Sequence, residues 1–73
     1  MSPEKLAYMA NQIGRFFASQ KHQDPVAGIA DHLEKFWDPS MRRAIVAHLD
    51  DGTIRLDPLV HDAVARLKQA RPG

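Results

Sequence analysis

Apolar residues recur three or four positions apart in four stretches of the 73-residue chain, which is the spacing of one face of an α-helix. The residues predicted to face inward from the first two stretches are Leu6, Met9, Ala10, Ile13, Phe17 (with Phe16 at the edge), Val26, Ile29, Ala30 and Leu33. Those from the last two are Met41, Ala44, Ile45, His48, Leu59, Val60, Ala63, Val64 and Leu67. Only residues 53–56 lack this spacing, and they read as a short extended link. The pattern predicts an all-α fold.

Each stretch follows a serine or aspartate and a proline: Ser2-Pro3, Asp24-Pro25, Asp38-Pro39 and Asp57-Pro58. The side-chain oxygen can accept from a first-turn N–H, and proline at the first helical position loses no hydrogen bond. These pairs predict a compact single domain of four short helices, at about residues 3–19, 25–36, 39–49 and 58–70. Gly52 can take the left-handed conformation that ends the third helix.

The only tryptophan, Trp37, directly precedes Asp38-Pro39. If the second helix extends by one residue, Trp37 joins the inward face and is predicted to be a structural anchor between the second and third helices. The alternative is that it lines a ligand pocket. The outward residues predicted to form ion pairs are Asp31 with Lys35 and Asp62 with Arg66.

Composition narrows the classes of function. A domain of this length buries only about 60% of its unfolded surface, so its core is marginal. The absence of cysteine excludes disulfides and thiolate-held zinc or iron–sulfur sites. The net charge of +1, with both signs interspersed, is unlike that of a phosphate-binding domain. Nothing reads as a signal peptide or membrane span, and we expect a cytoplasmic protein.

The four histidines are the first candidates for chemistry. His22 lies in a polar stretch and is expected in solvent, and His32 and His61 fall on outer helix faces. His48 lies on an inward face, where a hydrogen bond to a carbonyl is one interpretation. The other is proton transfer, which requires an oriented carboxylate. No two histidines have the spacing of metal ligands on a helix, so we expect no metal site.

Residues 51–54, Asp-Gly-Thr-Ile, resemble the middle of an EF-hand loop. Aligning Gly52 with the loop glycine places Ala47, Leu49 and Pro58 where calcium needs oxygen ligands, so calcium binding is excluded. The sequence also has no phosphate-binding loop, dinucleotide fingerprint or nucleophile motif. We therefore expect no catalytic, cofactor-binding or metal-binding residue in this chain.

The third helix is apolar on several sides, which is typical of a helix that is central in its domain or covered by a partner. Tyr8, on the polar side of the first helix, is a second apolar group outside the predicted core. With a marginal core, these features favour an interaction module. The residues predicted to contact a partner, with the arginines at the rim, are Tyr8, Arg42, Arg43, Val46 and Leu49.

Three stretches, MSPEKLAYMANQIGRFF, IADHLEKFWDPSMRRAIVAHLDDG and LDPLVHDAV, resemble the delta subunit of cytoplasmic NAD-dependent formate dehydrogenase. The resemblance covers about Pro3 to Leu67, and its most specific blocks are MANQIGRFF and Ile29 to Leu49. It implies a small accessory subunit of a hetero-oligomeric oxidoreductase complex, with no catalytic residue of its own.

In that family the alpha subunit carries a bis-molybdopterin guanine dinucleotide centre and iron–sulfur clusters. The beta and gamma subunits carry FMN, further clusters and the NAD site, and the delta subunit carries no redox centre. The resemblance therefore implies that this chain binds the formate dehydrogenase alpha subunit and aids assembly or stability of the molybdenum enzyme.

The alternative is a stand-alone helical regulator. The second and third helices, joined by a short corner, also fit a helix-turn-helix with Arg42 and Arg43 opening the reading helix. The near-neutral charge of the chain argues against nucleic-acid binding, and both arginines fit solvated positions in a first turn.

Overall fold

The computed structural model describes residues 1–20 and 24–70. Its elements are the helices α1 (Pro3–Ser19), α2 (Pro25–Phe36), α3 (Pro39–Asp51) and α4 (Pro58–Ala70). No strand occurs within the described ranges, so the all-α prediction is confirmed. α3 continues two residues beyond its predicted end at residue 49. No helix in this part of the chain is long and apolar enough to cross a membrane.

Each helix begins at the proline that the sequence pattern indicated. In the first three helices, the side-chain oxygen of the N-cap residue accepts a hydrogen bond from a first-turn N–H. Ser2 accepts from Lys5 at 3.1 Å, Asp24 accepts from Ala27 at 3.0 Å and Asp38 accepts from Met41 at 2.9 Å. α3 ends at Gly52, which has a φ of 72°, a conformation that glycine adopts without steric cost. The capping residues thus define where α1, α2 and α3 start and where α3 stops.

The core lies where one face of each helix meets the others. Its buried side chains are Leu6, Ala7 and Ala10 of α1, Ile29 and Leu33 of α2, Ile45 of α3, Val60, Ala63, Val64 and Leu67 of α4, and Trp37. Trp37 follows the last residue of α2, and its N–H donates to the Leu33 carbonyl at 3.0 Å. It is 7% exposed, which agrees with the burial expected of it. Its contribution to stability stays a prediction.

Helix α1 holds the segment between α3 and α4 in place. The Asn11 side-chain amide donates to the carbonyl of Arg55 at 3.2 Å, and its oxygen accepts the N–H of Asp57 at 2.9 Å. One turn later, Gly14 packs so close to Val60 that a Cβ at position 14 would lie 2.3 Å from Val60 Cγ2. The block MANQIGRFF therefore contains both the amide and the glycine that dock α1 against the start of α4.

One of the two predicted surface ion pairs forms. Lys35 Nζ lies 3.1 Å from the Asp31 carboxylate, as predicted. The Asp62–Arg66 pairing is wrong, because Arg66 lies 3.7 Å from the carboxylate of Asp24. Asp24 is the N-cap of α2, so Arg66 links α4 to the start of another helix. Sequence spacing shows only partners on the same helix and could not reveal this one.

Candidate functional site

The residues predicted to contact a partner differ in accessibility. Tyr8 is 62% exposed and Arg43 is also exposed, whereas Val46 and Leu49 are half-buried and pack against the core. α3 contacts both α1 and α4, which explains why more than one of its sides is apolar. Much of the apolar surface of α3 is therefore used inside the domain. The role of these residues at an interface stays a prediction.

Arg42 has a structural partner. Its guanidinium donates to the main-chain carbonyl of Glu34, in the last turn of α2, where carbonyls lack partners within the helix and a positive charge is favourable. The interpretation of Arg42 as a solvated first-turn residue is therefore wrong. The helix-turn-helix alternative also loses support, because Arg42 is engaged at the α2–α3 corner.

A row of aromatic rings in contact with one another lies along α1 and α2. We call this surface the aromatic ridge and define it as Phe16, Phe17, His32 and Phe36. Ring centroids are 5.3 Å apart for Phe16 and Phe17, 6.1 Å for Phe17 and His32, and 4.7 Å for His32 and Phe36. Phe16 is 57% exposed and Phe36 is 72% exposed. The ridge is thus a connected row of rings with exposed phenylalanines at both ends.

Sequence reasoning missed this surface. His32 was expected on a solvated outer face, but it is half-buried and its ring lies between those of Phe17 and Phe36. Phe17 can approach α2 because position 28 is glycine, where a Cβ would lie 2.8 Å from the Phe17 ring. The spacing of His32 and Phe36, four residues apart on one helix, was the available signal.

His48 lies beside the Asp51 carboxylate without a hydrogen bond to it at Nδ1. Its Nδ1 has no hydrogen bond in the described part of the chain, and the Asp51 carboxylate lies 3.6 Å away, beyond hydrogen-bond distance. Asp51 instead accepts from the hydroxyl of Thr53 and from its N–H. Those two hydrogen bonds lower the pKa of Asp51, and the one from the hydroxyl has the larger effect. No carbonyl accepts from His48 Nδ1 in the described residues, and a proton-transfer role for His48 stays an untested interpretation.

The other candidates for chemistry are equally separate. His61 is exposed on α4, as expected, with Nδ1 3.6 Å from the Asp62 carboxylate. His22 lies outside the described residues. Among the residues that are described, no group of three or more histidine, aspartate or glutamate side chains is placed to hold a metal ion.

A shallow depression lies between α1 and the start of α4. Its lining residues include Gly14, Leu59 and Val60, and its volume is about 190 Å³. Arg15 and Asp57 also line it, with the guanidinium 4.0 Å from the carboxylate. Pockets that enclose small molecules are typically about 300–1,000 Å³. The depression follows from the close approach at Gly14, and its size does not favour a cofactor site.

Comparison with protein families gives a match over most of the chain. A family model described as NADH-dependent formate dehydrogenase delta subunit, FdsD, matches residues 5–64. The matched region contains nearly all of α1, all of α2 and α3, and the first half of α4. The chain has no match among curated proteins or among solved structures.

Proposed function

Because the chain belongs to the family of delta subunits of NADH-dependent formate dehydrogenase, we propose that it is a non-catalytic accessory subunit that binds the molybdenum-bearing alpha subunit. Its role is to aid assembly or stability of the complex, which we place in the cytoplasm. The observation that carries the proposal is the family match, which extends over residues 5–64 of a 73-residue chain.

In this proposal the redox chemistry belongs to other chains. The bis-molybdopterin guanine dinucleotide centre, the iron–sulfur clusters, FMN and the NAD site lie on the alpha, beta and gamma subunits. The absence of cysteine from this chain supports that division, because thiolates are the usual protein ligands of iron–sulfur clusters.

The surface of the domain supports a binding role. A small domain has a marginal core and gains stability from whatever binds its folded state. This chain leaves Tyr8, Phe16 and Phe36 more than half exposed. Large aromatic side chains are enriched at protein interfaces. Tyr8 and Arg43 are the accessible members of the contact set predicted from sequence, and we keep Arg43 as a candidate contact at the rim.

The proposal is tested in cells that produce the alpha, beta and gamma subunits with or without this chain. We expect the tagged chain to co-purify with the alpha subunit, and we expect the enzyme made without it to have less bound molybdenum or lower stability. The purified chain alone should not oxidise formate. The proposal is wrong if the chain does not co-purify and the enzyme made without it has full molybdenum content, formate oxidation and thermal stability.

A further inference from the structure

The aromatic ridge differs from ordinary exposed apolar residues because its rings touch one another. Single exposed apolar side chains are normal on protein surfaces, whereas contiguous exposed apolar patches mark interaction sites. Phe16 and Phe36 are among the most exposed large apolar residues. Phe17 and His32 connect them across α1 and α2.

The ridge is also held in shape before any partner binds. Phe17 packs on Gly28 and meets Phe16 edge to face at 87°. His32 lies between the rings of Phe17 and Phe36. Ordering flexible side chains is one of the costs of association, and rings that are already supported by neighbours reduce it. The arrangement therefore suits a surface that docks as a rigid unit.

The charges beside the ridge indicate what kind of surface it fits. On α2, Asp31 and Lys35 neutralise each other at 3.1 Å. At the C-terminal end of the same helix, the Arg42 guanidinium is bound to a main-chain carbonyl. The guanidinium keeps its charge on that neutral carbonyl, but the carboxylates of Asp31 and Glu34 balance the charges of Lys35 and Arg42. These residues therefore present no excess positive charge to phosphate groups. The complementary surface is accordingly an uncharged apolar patch on a folded protein rather than a nucleic acid or an anionic membrane.

We propose that the aromatic ridge docks on an uncharged apolar patch of the formate dehydrogenase alpha subunit, with Phe16 and Phe36 as the principal contacts. The inference rests on the proposed function and adds the surface that carries it. The proposed contact surface does not include Tyr8. Phe16 is eight residues beyond Tyr8, which is about 12 Å along the helix and about 80° around it.

The test measures binding of the full chain to a purified complex of the alpha, beta and gamma subunits. The variants are Phe16→Ser combined with Phe36→Ser, and Tyr8→Ser as a control that also removes an exposed aromatic ring from α1. Circular dichroism establishes that each variant is folded. We expect the double variant to bind at least about 30-fold more weakly, which is the effect of losing a binding hot spot. We expect Tyr8→Ser to stay within about threefold of wild type.

The outcomes separate the surface from the function. If a folded double variant binds like wild type, the ridge is not the contact, whereas binding by wild type still supports the accessory-subunit proposal. Loss of binding in Tyr8→Ser alone would move the contact to the part of α1 around Tyr8, near the start of the helix. If wild type does not bind at all, the ridge proposal fails, and the accessory-subunit proposal fails with it when the enzyme made without this chain also has full molybdenum content, formate oxidation and thermal stability. Sedimentation distinguishes one further outcome. If wild type self-associates, the double variant is monomeric and both bind the alpha subunit equally well, the ridge is a contact between copies of this chain.

Discussion

Replacing Trp37 with alanine is expected to destabilise the domain severely, whereas the same change at the neighbouring Phe36 should have little effect. The two aromatic residues are adjacent in sequence, yet Trp37 is 7% exposed and Phe36 is 72% exposed. Because both residues are aromatic and adjacent in the chain, comparing the two variants tests the effect of burial alone. Phe36→Ala also shows whether the exposed end of the aromatic ridge matters to folding.

The expected magnitudes follow from the buried areas. A buried aromatic side chain covers about 150–250 Å², so at about 25 cal/mol per Å² the transfer of Trp37 is worth about 4–6 kcal/mol. Measured losses for buried Phe or Trp to alanine are about 3–5 kcal/mol, and we expect a value in that range. Phe36 buries only about a quarter of its area, which corresponds to about 1–1.5 kcal/mol. A typical domain of 73 residues has a free energy of unfolding of about 4–11 kcal/mol.

The assay is urea unfolding followed by circular dichroism, because the tryptophan fluorescence signal disappears in one variant. If Trp37→Ala is already unfolded without urea, sucrose added to all three proteins restores the folded baseline. A loss below about 1 kcal/mol for Trp37→Ala would show that Trp37 does not anchor the α2–α3 corner. An equal loss in both variants would show that burial is not the cause.

Two further outcomes are expected for residues that hold helix ends and the link in place. Asn11→Ala should lower the free energy of unfolding by about 1–2 kcal/mol, because it removes both hydrogen bonds to the segment before α4. Urea titration measures this loss, with Gln12→Ala, a change at an exposed neighbour, as the control. Equal losses in the two variants would contradict the prediction. The hydrogen bond from the Ser40 hydroxyl, followed by that from the Met41 N–H, lowers the pKa of Asp38 below its ordinary 3.8. A group with a lowered folded pKa stabilises the fold above the unfolded pKa and loses that contribution as pH falls through the folded pKa. Thermal melts on both sides of pH 3.8 should therefore show the stability advantage of wild type over Asp38→Asn shrinking on acidification, and a constant difference would refute the assignment.

The helix starts could be predicted from sequence because their physics is local. An aspartate such as Asp38 caps an N–H three residues away and needs no distant partner. The end of α3 at Gly52 is local for the same reason. Core faces followed from periodicity, since each helix buries one side. These features depend on residues within about one turn of one another.

Contacts between elements could not be predicted in the same way. Arg66 had a plausible partner on its own helix but lies beside Asp24 instead, and Arg42 binds a carbonyl of the preceding helix. His32 was placed on an outer face because helical periodicity alone cannot show that Phe17 of α1 reaches it. Each case depends on how two helices pack, and no spacing rule within one helix contains that information.

The position of Phe36 shows why the candidate surface was also missed. Phe36 follows Ile29 by seven residues, two helical turns, and therefore points to nearly the same side of α2. Ile29 is fully buried, whereas Phe36 is mostly exposed. Their burial differs because of their positions along the helix axis: α2 ends at Phe36. Periodicity describes the direction of a side chain around a helix but not where the neighbouring helices stop.

The Asn11 contacts have a consequence for the order of events during synthesis. Asn11 bonds to residues 44 and 46 positions later in the chain. At about 5–20 residues per second, the ribosome needs about 2–9 seconds after Asn11 to add Asp57, the later of the two partners. Val60, which packs against Gly14, is added later still. During that interval α1 can form its own hydrogen bonds and pack against α2 and α3, but the part of its face around Gly14 stays uncovered until α4 has been made.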